Sequence, residues 1–197
     1  MTLEAMTLAH PIVTTHQGIL DEATDALIHR RFYTPYPEVP STRHYGETAA
    51  ADGLAAYLAH LDSTYAGLLS QPTDGTFVGS EVSPYGPTLG VRYPRLDLDA
   101  AIPAALAAMT GWRDAGARVR AAVCVEIIER LHKRSHEMAN AVMHTSGQSF
   151  IMAFQAGGPH SQDRALEAVA AALLEQERVP ESVVWEKPGR DTPIRMQ

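Results

Sequence analysis

The chain has 197 residues and a mass of 21.4 kDa; it is 45% hydrophobic and 20% charged, with mean hydropathy −0.14. That balance argues against disordered, fibrous and membrane classes, and a chain of this length can bury roughly 70% of its unfolded surface in one medium domain or two small ones. The net charge of −7 is uneven, with four Lys+Arg against ten Asp+Glu in residues 1–94 and twelve against thirteen in residues 95–197. Scattered basic residues on an acidic chain do not neutralise phosphates, so no nucleic-acid partner is expected.

No apolar run reaches the roughly 18 residues of a membrane span, so no membrane partner is expected. Met1-Thr2-Leu3-Glu4 lacks the basic and apolar regions of a signal peptide. A lone cysteine, Cys124, forms no internal disulfide and suits a reducing cytoplasm.

In chain order, residues 12–31 predict a helix, with Ile12, Ile19, Leu20, Ala23, Leu27 and Ile28 at three- and four-residue steps. Phe32 to Pro40 holds three prolines, Pro35, Pro37 and Pro40, and cannot continue it. Residues 41–53 read as a loop into a second helix at about 47–69. Residues 76–83 and 88–93 read as the strands of a β-hairpin joined through Pro84, Gly86 and Pro87.

Asp97 or Asp99 can cap a helix reaching Met109, with Pro103 near its start and Gly111-Trp112 ending it. Residues 117–144 predict the strongest helix, on a stripe of Val119, Val123, Ile127, Leu131, Met138 and Val142 thickened by Ala122, Ile128 and Ala139. Gly147 closes it. A short helix at about 148–156 stops at Gly157-Gly158-Pro159, and Ser161 can cap a helix at 162–177 with Asp163 in its first turn. Val183–Glu186 reads as a strand, Lys187–Asp191 as a turn and Pro193–Met196 as the start of a further strand.

The residues with chemical potential have plainer readings. Cys124, between Val123 and Val125 in mid-helix, reads as core filler, because a nucleophilic thiol needs a helix N-terminus or a cationic neighbour. His132 and His136, with His144 or His160, could hold zinc. Their spacing around Lys133 and Arg134, with no His-Glu-x-x-His pattern, reads as a solvated helix face. Gly157-Gly158-Pro159 matches neither the G-x-G-x-x-G nor the P-loop pattern and reads as a helix stop. Tyr33, Tyr36 and Tyr45 beside Arg31 and Arg43 read as packing of the proline-rich loop, with a stacking surface as the alternative. No catalytic, cofactor-binding or metal residue is assigned.

The stretch Gly79-Ser80-Glu81-Val82, followed by Asp97–Ala101, Ala107-Ala108-Met109, Trp112-Arg113, Ile127–Leu131, Glu137-Met138-Ala139 and Thr145–Gln148, resembles the N-terminal portion of the aldehyde dehydrogenase superfamily. The strings Tyr33–Glu38, Tyr45–Gly53, Gly79–Gly86 and Phe154–His160 resemble the phenylacetic acid degradation protein PaaN family, from about His10 to Met196. Intact members of that family are more than twice this length. The resemblance implies NAD(P)-dependent aldehyde oxidation in aerobic phenylacetate catabolism. It also implies that the thiol nucleophile, the asparagine and backbone oxyanion donors, the glutamate base and the Rossmann-type coenzyme domain lie beyond these residues. Neither Trp112 nor Trp185 is followed by the asparagine of the superfamily's Pro-Trp-Asn stretch, and Cys124 does not match the nucleophile.

The expected fold is mainly α with a β-hairpin and C-terminal strands, the incomplete N-terminal portion of an aldehyde-dehydrogenase-like α/β fold. Residues 1–75 form a helical extension with the proline-rich loop, and residues 76–197 the start of the aldehyde-dehydrogenase-like domain. The chain itself is expected to bind no cofactor, NAD or NADP being implied for the intact family, and to be inactive alone in the cytoplasm. It is expected to self-associate or to pair with a chain carrying the missing C-terminal part; the alternative is a non-catalytic helical module pairing with a companion chain.

Overall fold

The computed structural model describes residues 10–179, 183–189, 192 and 194–196. The reading of Met1–Glu4, and the turn residues Arg190 and Asp191 with Pro193, lie outside them.

Helix α1 is Pro11–Ile28. Pro11 fits its first position, and the His10 ring accepts from the Ile12 amide at 3.4 Å. It buries Val13, His16, Leu20, Ala23 and Ala26, the three- and four-residue rhythm of one helix face. It stops three residues short of the expected 31; Ile28 is exposed and Arg30 turns the chain at φ +52°. A short helix α2, Thr42–Tyr45, interrupts the expected loop, and α3 is only Ala49–Leu58. The predicted run to 69 breaks after Leu58; Asp62, at φ +51°, donates its amide to Leu89, and a 3-10 turn follows at Ala66–Leu68.

The first sheet is shifted from the expected hairpin. Strand β1, Thr73–Val78, pairs antiparallel with β2, Tyr93–Leu96, through Phe77 opposite Pro94 and Val78 opposite Tyr93. Of the predicted inner ladder only a single Val82–Thr88 bridge exists. Gly79 at φ +133° and Gly90 at φ +65° bend both predicted strands, and a Cβ at Gly79 would strike the Val91 carbonyl oxygen.

Helix α4 spans Leu98–Asp114, with Asp97 accepting from the Ala100 amide at 3.2 Å. It runs through Pro103 and past Gly111; the chain turns instead at Gly116, φ +80°. The predicted 117–144 helix is two helices, α5 (Ala117–His132) and α6 (Ser135–Ser146), the second ended by left-handed Gly147 at φ +77°. Helix α7 is Phe150–Gly157. Helix α8, Pro159–Arg178, starts on Gly158 with Pro159 at its first position, so Ser161 is no cap: its hydroxyl donates back to the Ala156 carbonyl. Strands β3 (Trp185–Lys187) and β4 (Ile194–Met196) pair with each other, Glu186 opposite Arg195.

The main core lies where α1, α5 and α8 meet, around Val13, Leu20, Ala122, Val125, Leu166 and Leu173. Each Val or Leu side chain there contributes about 1.5–3 kcal/mol by leaving water. Arg118 ties the three helices at one end, reaching Asp21 at 3.6 Å and Glu177 at 2.6 Å. A second layer packs α3 and α7 on α6, around Tyr57, Ala139, Ala153 and Phe154. The α5 core face is Ala121, Ala122, Val125 and Ile128, whereas Ile127 and Leu131 of the predicted stripe are exposed. Four-residue steps drift about 40° each around a helix of 3.6 residues per turn, so that stripe leaves the buried side.

Candidate functional site

The break between α5 and α6 contains neither glycine nor proline. Side chains make it. The Ser135 hydroxyl donates to the His132 carbonyl at 2.7 Å, and its oxygen accepts from Gln162 Nε2 on α8 at 3.1 Å. Gln162 Oε1 stands 3.0 Å from His132 Nδ1, which assigns Nδ1 as the donor. Ser135 and Gln162 are buried, so these bonds are made away from water and Arg134 leaves helical geometry at φ −106°, ψ 15°.

This break corrects the reading of His132 and His136 as one solvated face. They stand on separate helices; His132 is half-buried and His136 is 5% exposed. The Tyr45 ring lies 5.3 Å from His132, 5.2 Å from His136 and 5.3 Å from Phe154, and Phe154 meets His136 edge-on at 4.9 Å. The His136 ring has no hydrogen-bond partner among the described residues, and burial holds its pKa below the usual 6.5, so it is neutral at pH 7.

Tyr36 and Tyr45 pack the proline-rich loop. Tyr36 is fully buried and its hydroxyl donates to Glu129 at 3.1 Å; the Tyr45 hydroxyl donates to the Pro37 carbonyl at 2.6 Å. Burial pushes the Tyr45 phenol up to about 12 and raises Tyr36 further, with the Glu129 charge adding to it. Tyr33 is half-buried, Arg31 pairs with Asp25 and Arg43 is exposed.

Between α3 and the α5–α6 junction lies a cleft of about 440 Å³, walled by Tyr45, Asp52, Gly53, His132, Lys133 and His136. At its edge the Arg134 guanidinium forks onto Glu137, at 2.7 and 2.5 Å, and His60 Nε2 meets the same carboxylate at 2.8 Å. Arg134 first, then His60, holds the Glu137 carboxyl below its usual range. Asp52 and Gly53 were not singled out as site residues in the sequence; nothing in their own pattern marks them, since they join the site only because α3 folds onto α6.

The other candidates lie apart. Cys124 is half-buried in the middle of α5, less enclosed than the expected core filler. His144 stacks on Tyr57 at 5.1 Å and takes a 3.0 Å hydrogen bond with Ser83, while His160 is exposed beside Glu38 at 3.2 Å. Gly157-Gly158-Pro159 is the α7–α8 corner, and Trp112 and Trp185 are exposed. Among the described residues no group of three or more His, Cys, Asp and Glu side chains is placed to hold a metal ion, and no helix is long and apolar enough to cross a membrane. A dinucleotide needs the crevice at the carboxyl ends of parallel strands. Both sheets among the described residues are two-stranded and antiparallel, so these residues do not fit a nicotinamide coenzyme.

The helices and small strand pairs together form a fragment of an aldehyde dehydrogenase fold. The structure they match is the crystal structure of an NAD-dependent aldehyde dehydrogenase from Burkholderia multivorans, with TM-score 0.89 and 48% sequence identity over 94% of this chain and 33% of that one. The chain thus spans one third of the length of that relative and is aldehyde-dehydrogenase-like throughout the matched part. No protein-family model matches the chain, and no curated protein matches it.

Proposed function

We propose that this chain is the N-terminal scaffold segment of a PaaN-like, NAD(P)-dependent aldehyde dehydrogenase of cytoplasmic, aerobic phenylacetate catabolism, inactive until joined by the part that carries the thiol, the base and the coenzyme domain. The observation that supports the aldehyde dehydrogenase part of this reading is the match of 94% of the chain to one third of an NAD-dependent aldehyde dehydrogenase, while the PaaN part rests on the strings Tyr33–Glu38, Tyr45–Gly53, Gly79–Gly86 and Phe154–His160. Its physical counterpart is α4. That 17-residue helix buries no side chain, and Leu98, Ile102, Leu106, Met109 and Trp112 stand exposed along it. Such a surface is what a second body would cover.

The purified chain, given aldehydes with NAD or NADP, is expected to produce no reduced nicotinamide; thiol-dependent production would overturn the proposal. Co-expressed with the remaining two thirds of the Burkholderia multivorans enzyme, it is expected to co-purify and to restore turnover. The uncovered α4 stripe also supports a second reading, a non-catalytic helical module bound to a companion chain. Co-purification with a native partner that lacks the thiol and the glutamate would favour it.

A further inference from the structure

The cleft between α3 and the α5–α6 junction has a charge pattern that the scaffold role does not use. Of the charged groups lining it, Arg134 and Glu137 neutralise each other. The other two are Asp52, in the first turn of α3, and Lys133, at the helix junction; they sit on facing elements, have opposite signs, and neither has an ion-pair partner among the described residues. The neutral, buried His136 also lines the cleft and offers one N–H and one lone pair that meet no protein group among the described residues.

We propose that this cleft binds a small zwitterion, an ammonium and a carboxylate on one short frame, of which a free α-amino acid is the simplest case. The carboxylate would meet Lys133, the ammonium Asp52, and His136 would hydrogen-bond the frame. A simple anion is opposed by Asp52, a simple cation by Lys133, and a metal ion lacks a third ligand. The volume of about 440 Å³ suits a small ligand.

Titration calorimetry on the purified chain tests this, with the L-amino acids, acetate and methylammonium as probes; it needs no turnover and is independent of the scaffold reading. At least one amino acid is expected to bind in the millimolar range or tighter, with acetate and methylammonium about tenfold weaker or worse. Asp52→Asn and Lys133→Met are each expected to weaken that binding about tenfold, with unchanged melts because both side chains are exposed. Acetate binding as tightly as every amino acid, no amino acid binding, or binding indifferent to both substitutions would each overturn the proposal.

Discussion

Gly53 on α3 touches α6 so closely that a β-carbon there would overlap the Cβ of His136 and come within 2.8 Å of the Glu137 amide nitrogen. The α3–α6 packing, and with it the cleft, exists because residue 53 has no side chain. Its opposite is Gly18 in α1, where a β-carbon would meet nothing within 4 Å.

The two glycines predict opposite signs. Gly53→Ala gains about 1 kcal/mol of helix propensity. It loses more to a clash with backbone that cannot rotate away, for a net destabilisation of about 1–3 kcal/mol. Gly18→Ala keeps the propensity gain and should stabilise by about 0.5–1 kcal/mol. Denaturant melts of both variants check the signs.

The polar junction predicts non-additive losses. Ser135→Ala removes the hydroxyl that joins His132 to Gln162 and leaves buried polar groups unmet, costing about 1–3 kcal/mol. Gln162→Met should cost a similar amount, and the double variant less than the sum, since both break one network. Additive losses in a double-mutant cycle would show the bonds to be independent.

The buried imidazole predicts a specific pH window. His136 titrates below 6.5 in the fold and near 6.5 when unfolded, so on acidification the unfolded chain takes up the proton first. Its stability contribution is complete above about pH 6.5 and is lost as pH falls below that toward the folded value. Glu126, lowered by Arg130 and then His16, and Glu137, lowered by Arg134, add a separate loss that begins only near their unfolded pKa of 4.5. His136→Phe should flatten the upper window and leave the lower one; melts from pH 7.5 down to about pH 4 resolve the two.

The exposed stripe of α4 predicts self-association of the isolated chain. Leu106 is 61% exposed at the middle of the stripe. Sedimentation velocity should show concentration-dependent oligomers that Leu106→Glu abolishes without lowering the melting temperature. A wild-type chain that stays monomeric at high concentration would contradict this.

Elements governed by local chemistry were legible in the sequence. The repeat through Leu20 and Ala23 placed α1, though Ile28 of the expected stripe is exposed; Asp97 starts α4 and Gly147 ends α6, each through a constraint carried by neighbours in the chain. The resemblance strings likewise pointed to the aldehyde dehydrogenase fold that the comparison supports. Where distant segments compete, local patterns misled. The hairpin register slipped outward because Gly79 and Gly90 lie against residues 91 and 62, and the long helix broke because Gln162, far along the chain, holds Ser135.

The candidate site shows the same division. The glycine corner could be judged from its neighbours, because a phosphate loop needs a local pattern, whereas the expected core-filler place of Cys124 was not met, since it is half-buried. The cleft could not be judged this way, since Asp52 and Lys133 are 81 positions apart and come together only when α3 lies on α6. Composition and periodicity by themselves determined a mostly helical chain with a β-hairpin, and only the resemblance strings pointed to an aldehyde dehydrogenase fragment. Which helix faces are buried, where the long helix breaks and which charges share a cleft were decided by packing, because those outcomes depend on contacts between residues that no short window of sequence contains.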